Sequence, residues 1–169
     1  MAGNKYLKVG STGIEEQAST DSSAGAGDAG KIPALDAGGK LALNMMPSGI
    51  GAAVKSIIAS EALSAGNLVN IWNDGGTPKI RKADASTNKP ANGYVLAGVA
   101  SAAAGDVYFE GEVSGLSGLV AGRYYLSTTV PGGLQTTIPA TSGHIVQSVG
   151  WGTSATSLDF EAGDTILRA

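Results

Sequence analysis

NLVNIWNDGGTPKIRKA, residues 67–83, reads as a β-hairpin, and that reading decides the fold. Leu68, Val69, Ile71 and Trp72 fill the first apolar run, Ile80 anchors the second, and Asp74-Gly75-Gly76 between them accepts the positive φ of a tight reversal. Outward from this hairpin, short apolar runs alternate with turn signals every 8 to 12 residues or so, the pattern of a β-sandwich or barrel. Strands are expected near 54–59, 67–73, 78–83, 94–100, 106–113, 123–128, 133–137, 144–150, 157–161 and 164–168, with a second glycine turn at Pro131-Gly132-Gly133. A weak internal repeat runs through them. Leu63-Ser64-Ala65-Gly66, a strand, Gly75-Gly76 and a strand parallel Leu119-Val120-Ala121-Gly122, a strand, Gly132-Gly133 and a strand, and Ala162-Gly163 precedes the last strand.

The composition agrees with an all-β body. Only 15% of the 169 residues are charged and 26 are glycine, too few Lys, Glu and Arg to dress the outer faces of helices. Fourteen acidic against 11 basic side chains give a net charge of -3, with no basic row to neutralise phosphates, so nucleic acid is not an expected partner. With no cysteine, disulfides and thiolate metal sites are excluded, which fits assembly in a reducing cytoplasm. No basic segment followed by an apolar run opens the chain, and no run of about 18 apolar residues occurs, so neither a signal peptide nor a membrane partner is expected.

Residues 1–52 differ from the β domain expected over 53–169, because Gly, Ala, Ser and Asp dominate and apolar residues come only in isolated pairs. Such a segment cannot bury a core of its own. It is read as an extended, mostly irregular arm whose apolar positions Ile32, Leu35, Leu41, Leu43, Met45, Met46 and Ile50 dock on a neighbouring subunit or partner. At roughly 3.3 Å per residue, an arm of about 50 residues reaches on the order of 160 Å when straight.

Chemistry is sparse. His144 is the single histidine and is read as a turn or rim residue rather than a base or ligand. Gly25-Ala-Gly-Asp-Ala-Gly30-Lys31 fits the spacing of a phosphate-binding loop, but no apolar strand precedes it, Ile32 replaces the magnesium-binding hydroxyl, and Pro33 follows where a helix should start. Asp159 and Glu161 alternate with Leu158 and Phe160, which puts the acids on the outer face of a half-exposed strand. Asp106, Glu110, Glu112 and Asp164 are read as solvated too, and the acidic turns at Asp74 and Asp84 lack the dense ligand spacing of a calcium loop. Lys79, Arg81 and Lys82 form the one compact basic cluster, read as a charged edge strand. No catalytic, cofactor or metal residue is expected, and an enzyme is not.

The arm segment GKIPALDAGGKLALNMMPSGI, residues 30–50, resembles the GKIPxLDAxGKLDxSxMPxGIG stretch of structural proteins of tailed bacteriophages, head decoration proteins and tail fibres among them. Glu61–Val69, Lys79–Asp84, Gly93–Ala100 and Gly122–Thr128 are similar to the β domain that follows this arm, so the resemblance covers most of the chain from about residue 28, with departures at Ala42 and Asn44. It implies a decoration, or cement, protein made in the host cytoplasm and placed on the outer capsid surface of the virion. The major capsid protein would be its partner, and a homotrimer with arm exchange its assembly. The rival from the same resemblance is a head or tail fibre protein that binds host surface glycans. Trp72 and Trp151 would carry such binding, although each lies on an expected strand, where core packing is the expected role.

Overall fold

Gly75 and Gly76 reverse the chain with φ of 60° and 96°, and the Asn73 side chain locks the reversal by accepting a hydrogen bond from the Gly76 amide at 2.7 Å. The computed structural model describes residues 5–42, 45–46 and 53–169. These divide into two units, Met1–Gly51 and Ala52–Ala169.

The first unit carries one hairpin, β1 (Lys5–Gly10) and β2 (Gly13–Ala18), joined by the two residues Ser11 and Thr12. Among the described residues, the second unit holds the other strands. They are β3 (Val54–Ala59), β4 (Leu68–Asp74), β5 (Thr77–Lys82), β6 (Gly93–Tyr94), β7 (Ala104–Tyr108), β8 (Gly111–Val113), β9 (Gly122–Leu126), β10 (Leu134–Gln135), β11 (Ile145–Gly152), β12 (Leu158–Phe160) and β13 (Thr165–Leu167). The fold is all-β. Three of the expected strands differ most from the sequence reading: of 94–100 only Tyr94 lies in a strand, 133–137 shortens to Leu134–Gln135, and 106–113 breaks into β7 and β8 at Phe109 and Glu110.

Strands β3-β5-β4-β6-β7 close into a barrel, and β10-β9-β11-β12-β8 form an open sheet to which β13 adds by pairing with β11. Cut between β3 and β5, the barrel reads β5-β4-β6-β7-β3, and raising each strand number by five turns it into the order of the open sheet. The four antiparallel pairings correspond one to one, β4 with β5 matching β9 with β10, and β3 with β7 matching β8 with β12. The weak sequence repeat is therefore the trace of a repeated five-strand unit. The two copies differ in one pairing, the parallel β3–β5 ladder at Ile58↔Lys79 and Ala59↔Ile80 that closes the barrel.

The open sheet does not need that closure, because the outer wall of the barrel covers its apolar face. Neighbouring residues on a strand point to opposite faces. Val69, Ile80, Val95 and Val107 accordingly fill the barrel, while Leu68, Ala83 and Tyr94 point outward and pack with Tyr124, Leu126, Ile145, Val149, Leu158 and Phe160 of the open sheet. Tyr94 is the hub of this second core, stacked on Tyr108 at 5.4 Å and edge-on to Phe160 at 5.3 Å. Its hydroxyl lies 3.2 Å from the carbonyl oxygens of both Glu110 and Glu112, at the corner where β7 gives way to β8. Burial, helped by Tyr108, Asp159 and Glu112, pushes the phenol above its ordinary value and keeps it a neutral donor.

Two polar devices tie barrel to sheet. Gly132, in the β9–β10 loop, accepts from Leu68 N–H at 2.9 Å and donates to the Ala83 carbonyl at 2.7 Å. Gln147, 3% exposed, accepts from the Ala91 amide at 2.7 Å and donates back to the Ala91 carbonyl at 2.9 Å. A Gln147→Leu variant strands both Ala91 groups without water, and we expect a loss of roughly 2–4 kcal/mol in urea unfolding. A loss under about 0.5 kcal/mol would show that the clamp is dispensable.

Asp84 starts the 3-10 turn Ala85–Thr87 and accepts from the Ser86 amide and the Ser86 and Thr87 hydroxyls. Its burial works to raise its pKa, but these hydrogen bonds, aided by Lys89, outweigh burial and hold the carboxyl below its ordinary value of 3.8. A lowered folded pKa means stability that is present above the ordinary value and lost as pH falls through the folded one. The stability gap between the native protein and Asp84→Asn, measured by urea unfolding, should therefore narrow from pH 5 toward pH 2, and a gap constant with pH would contradict this role.

Candidate interaction surfaces

Within the first unit, the β1–β2 register puts Leu7, Val9 and Ile14 on one face of the hairpin and Tyr6 on the other. The Tyr6 hydroxyl accepts from the Ile32 amide at 3.3 Å, and Thr20 bridges Pro33, so the hairpin is tied to the segment that follows it. Leu7, Val9 and Ile14 stay 72%, 88% and 76% exposed. The sequence reading treats this stretch as part of an irregular arm. The available signal is Gly10-Ser-Thr-Gly13 between two short apolar runs, a hairpin spacing in an otherwise low-complexity region.

Farther along the described part of the arm, a turn closes on itself at Asp36. Asp36 accepts from the Gly38 and Lys40 amides at 2.8 and 2.9 Å, and its own amide donates to the Lys40 carbonyl at 2.8 Å, so LDAGGK is a closed loop organised by one carboxylate. Of the expected docking residues, Ile32, Leu35, Leu41 and Met46 are exposed and Met45 is half-buried. Leu43 and Ile50 lie outside the described residues.

The phosphate-loop mimic carries no phosphate cradle. Gly25 leads into the 3-10 turn Ala26–Asp28, Lys31 is paired with Asp28 at 2.7 Å, and the other oxygen of Asp28 accepts from the Ala24 amide. Lys31 and that amide hold the Asp28 carboxyl below its ordinary range, so an anion already occupies this turn. His144 is half-buried at the start of β11, where its carbonyl accepts from the Arg168 amide. Among the described residues, no three His, Cys, Asp or Glu side chains gather as metal ligands, and no helix is long and apolar enough to cross a membrane.

The basic cluster is not on an edge. β5 lies between β3 and β4, Lys79 pairs with Asp74 at 2.6 Å, and the Arg81 guanidinium sits 4.9 Å from the centre of the Trp72 ring while its Nε donates to Asn70. The charges serve the barrel wall instead of guarding an open strand.

Neither tryptophan is a core residue. Trp72 is half-buried and its indole N–H donates to Ser60, and Trp151 is 50% exposed. Alternation along β11 buries Ile145, Gln147 and Val149, and continuing it would bury Trp151 as well. A register shift between Ser148 and Gly150 moves the phase by one residue, burying Gly150 and Gly152 and turning Trp151 outward. Only glycine fits at the shift, since a Cβ on Gly150 would collide with the Asp159 carbonyl oxygen and its φ is 132°. On the outer face the ladders then align Arg123, Trp151, Asp159 and Glu112 across four strands, with the Arg123 guanidinium 5.0 Å from the Trp151 ring centre. Asp106, Glu110, Glu112, Asp159, Glu161 and Asp164 are all exposed.

No family model matches the chain, and no curated protein matches it.

Proposed function

We propose that the chain is a capsid decoration protein of a tailed bacteriophage, binding the outer surface of the assembled major capsid lattice through its N-terminal unit. The observation that carries the reading is the contrast between the two units. The β domain encloses two cores of its own, whereas Leu7, Val9, Ile14, Ile32, Leu35 and Leu41 of the first unit remain in water. A two-stranded hairpin with an uncovered apolar face is marginal by itself and gains stability once a partner surface covers it. The resemblance of residues 30–50 to phage head proteins points to that surface as the capsid, with arms exchanged in a homotrimer. A ligand that binds the assembled lattice and not its separated subunits stabilises the lattice by mass action, and an arm tethered to a docked body acts at high effective concentration.

The test is co-sedimentation with shells that lack the protein. Leu35→Asp together with Leu41→Asp should cut the bound copies at least roughly tenfold, the effect of losing about 1.4 kcal/mol. The thermal midpoint of the β domain should stay within about 2 °C of the parent, since both substitutions lie outside its core. Undiminished binding would refute arm docking.

A further inference from the structure

Strand β13 is the one described strand with every side chain exposed, Ile166 and Leu167 at 62% and 60%. It pairs with β11 alone, so its far side is an edge of the body's sheet. The Arg168 amide donates to the His144 carbonyl at 2.9 Å, and backbone groups alternate sides along an antiparallel ladder. Arg168 and Ile166 therefore bond toward β11, while the N–H and C=O of Thr165 and Leu167 point off the edge. Sheet edges are commonly blunted by a lysine, a proline or a bulge, and Thr165-Ile166-Leu167 carries none of them. The nearest charges stand at its two ends, Asp164 and Arg168, both exposed.

We propose that β13 adds antiparallel to β13 of a second copy about a two-fold axis at Ile166, so that one sheet runs through two bodies. Centring on Ile166 sets Thr165 opposite Leu167 of the second copy. These are the residues whose backbone groups are open, so each such pair exchanges both of its hydrogen bonds. A shift by one residue would point the open groups past each other. The same register sets Asp164 opposite Arg168 of the second copy, at both ends of the strand. A shift by two residues keeps the hydrogen-bond phase but loses both charge pairs, and a parallel alignment sets like charges side by side. Asp164, Ile166 and Arg168 share a face by alternation, so Ile166 meets its own counterpart between two ion pairs, and the contact is self-complementary as a two-fold axis requires. The Arg168 side chain is already steadied, its Nε donating to the Pro139 carbonyl at 3.2 Å, which leaves its terminal nitrogens for the carboxylate. A contact through one short strand is far smaller than a standard interface, so the dimer is weak, with a dissociation constant in the micromolar range or above.

The experiment uses the full chain carrying Leu35→Asp and Leu41→Asp, so that association through the arm does not contribute. Sedimentation equilibrium over a wide concentration range should show a reversible equilibrium between monomer and dimer, and the Thr165 and Leu167 amides should exchange hydrogen more slowly as the dimer forms. Ile166→Lys, at an exposed position, should raise the dissociation constant at least roughly tenfold. Asp164→Arg should weaken the dimer several-fold, and adding Arg168→Asp, which restores opposite charges at both ends, should recover most of that loss. A chain that stays monomeric at every concentration, a dimer without added protection at Thr165 and Leu167, a dimer indifferent to Ile166→Lys, or a charge swap that recovers nothing would each overturn the proposal. Shell binding by the parent chain is read separately, and its presence or absence does not bear on this dimer.

Discussion

The barrel wall shared by the two halves of the β domain is the constraint on which the rest depends. Strand β4 and the end of β6 each present one residue inward and its neighbour outward, Val69 with Leu68 and Val95, just past β6, with Tyr94, so one wall seals two cores. This explains why a repeated five-strand unit is closed in one copy and open in the other. A sheet whose apolar face is covered by a wall has no need to curl onto itself. The Gln147 clamp on Ala91 and the insertion of Gly132 between Leu68 and Ala83 fix where the wall and the sheet meet.

The C-terminal body was legible because its signals are local. Glycine turns between short apolar runs fix strand after strand, and each expected strand from 54 to 168 has a counterpart in the structure, if shortened ones at 94–100 and 133–137 and a split one at 106–113. What the pattern could not carry is pairing at a distance. The parallel β3–β5 ladder joins strands separated by a hairpin, and nothing in Lys79, Arg81 or Lys82 distinguishes an interior strand from an edge one. Trp151 shows the same limit at a single residue, because strict alternation puts it in the core and the Gly150 bulge alone reverses that.

The arm was legible in a different sense. Its composition announces a segment without a core, and its described apolar residues are largely exposed, yet the hairpin at its start is cued only by Gly10 and Gly13. Hairpin, Tyr6 link and Asp36 loop together make the described part of the arm a string of small ordered pieces, and ordering pieces beforehand would lower the entropy lost on the proposed docking. The contrast between the two units is physical: a body with two cores of its own, and an arm whose described apolar residues are largely exposed, the surface that the proposed docking would cover.

Whether the capsid lattice covers that surface is settled most directly by counting. Purified shells lacking the protein are saturated with it, pelleted, and the bound copies per particle quantified. The account predicts hundreds of copies, in a fixed ratio to the major capsid protein, whereas about a dozen or fewer would place the chain at a vertex or on a fibre and contradict a lattice-wide decoration role.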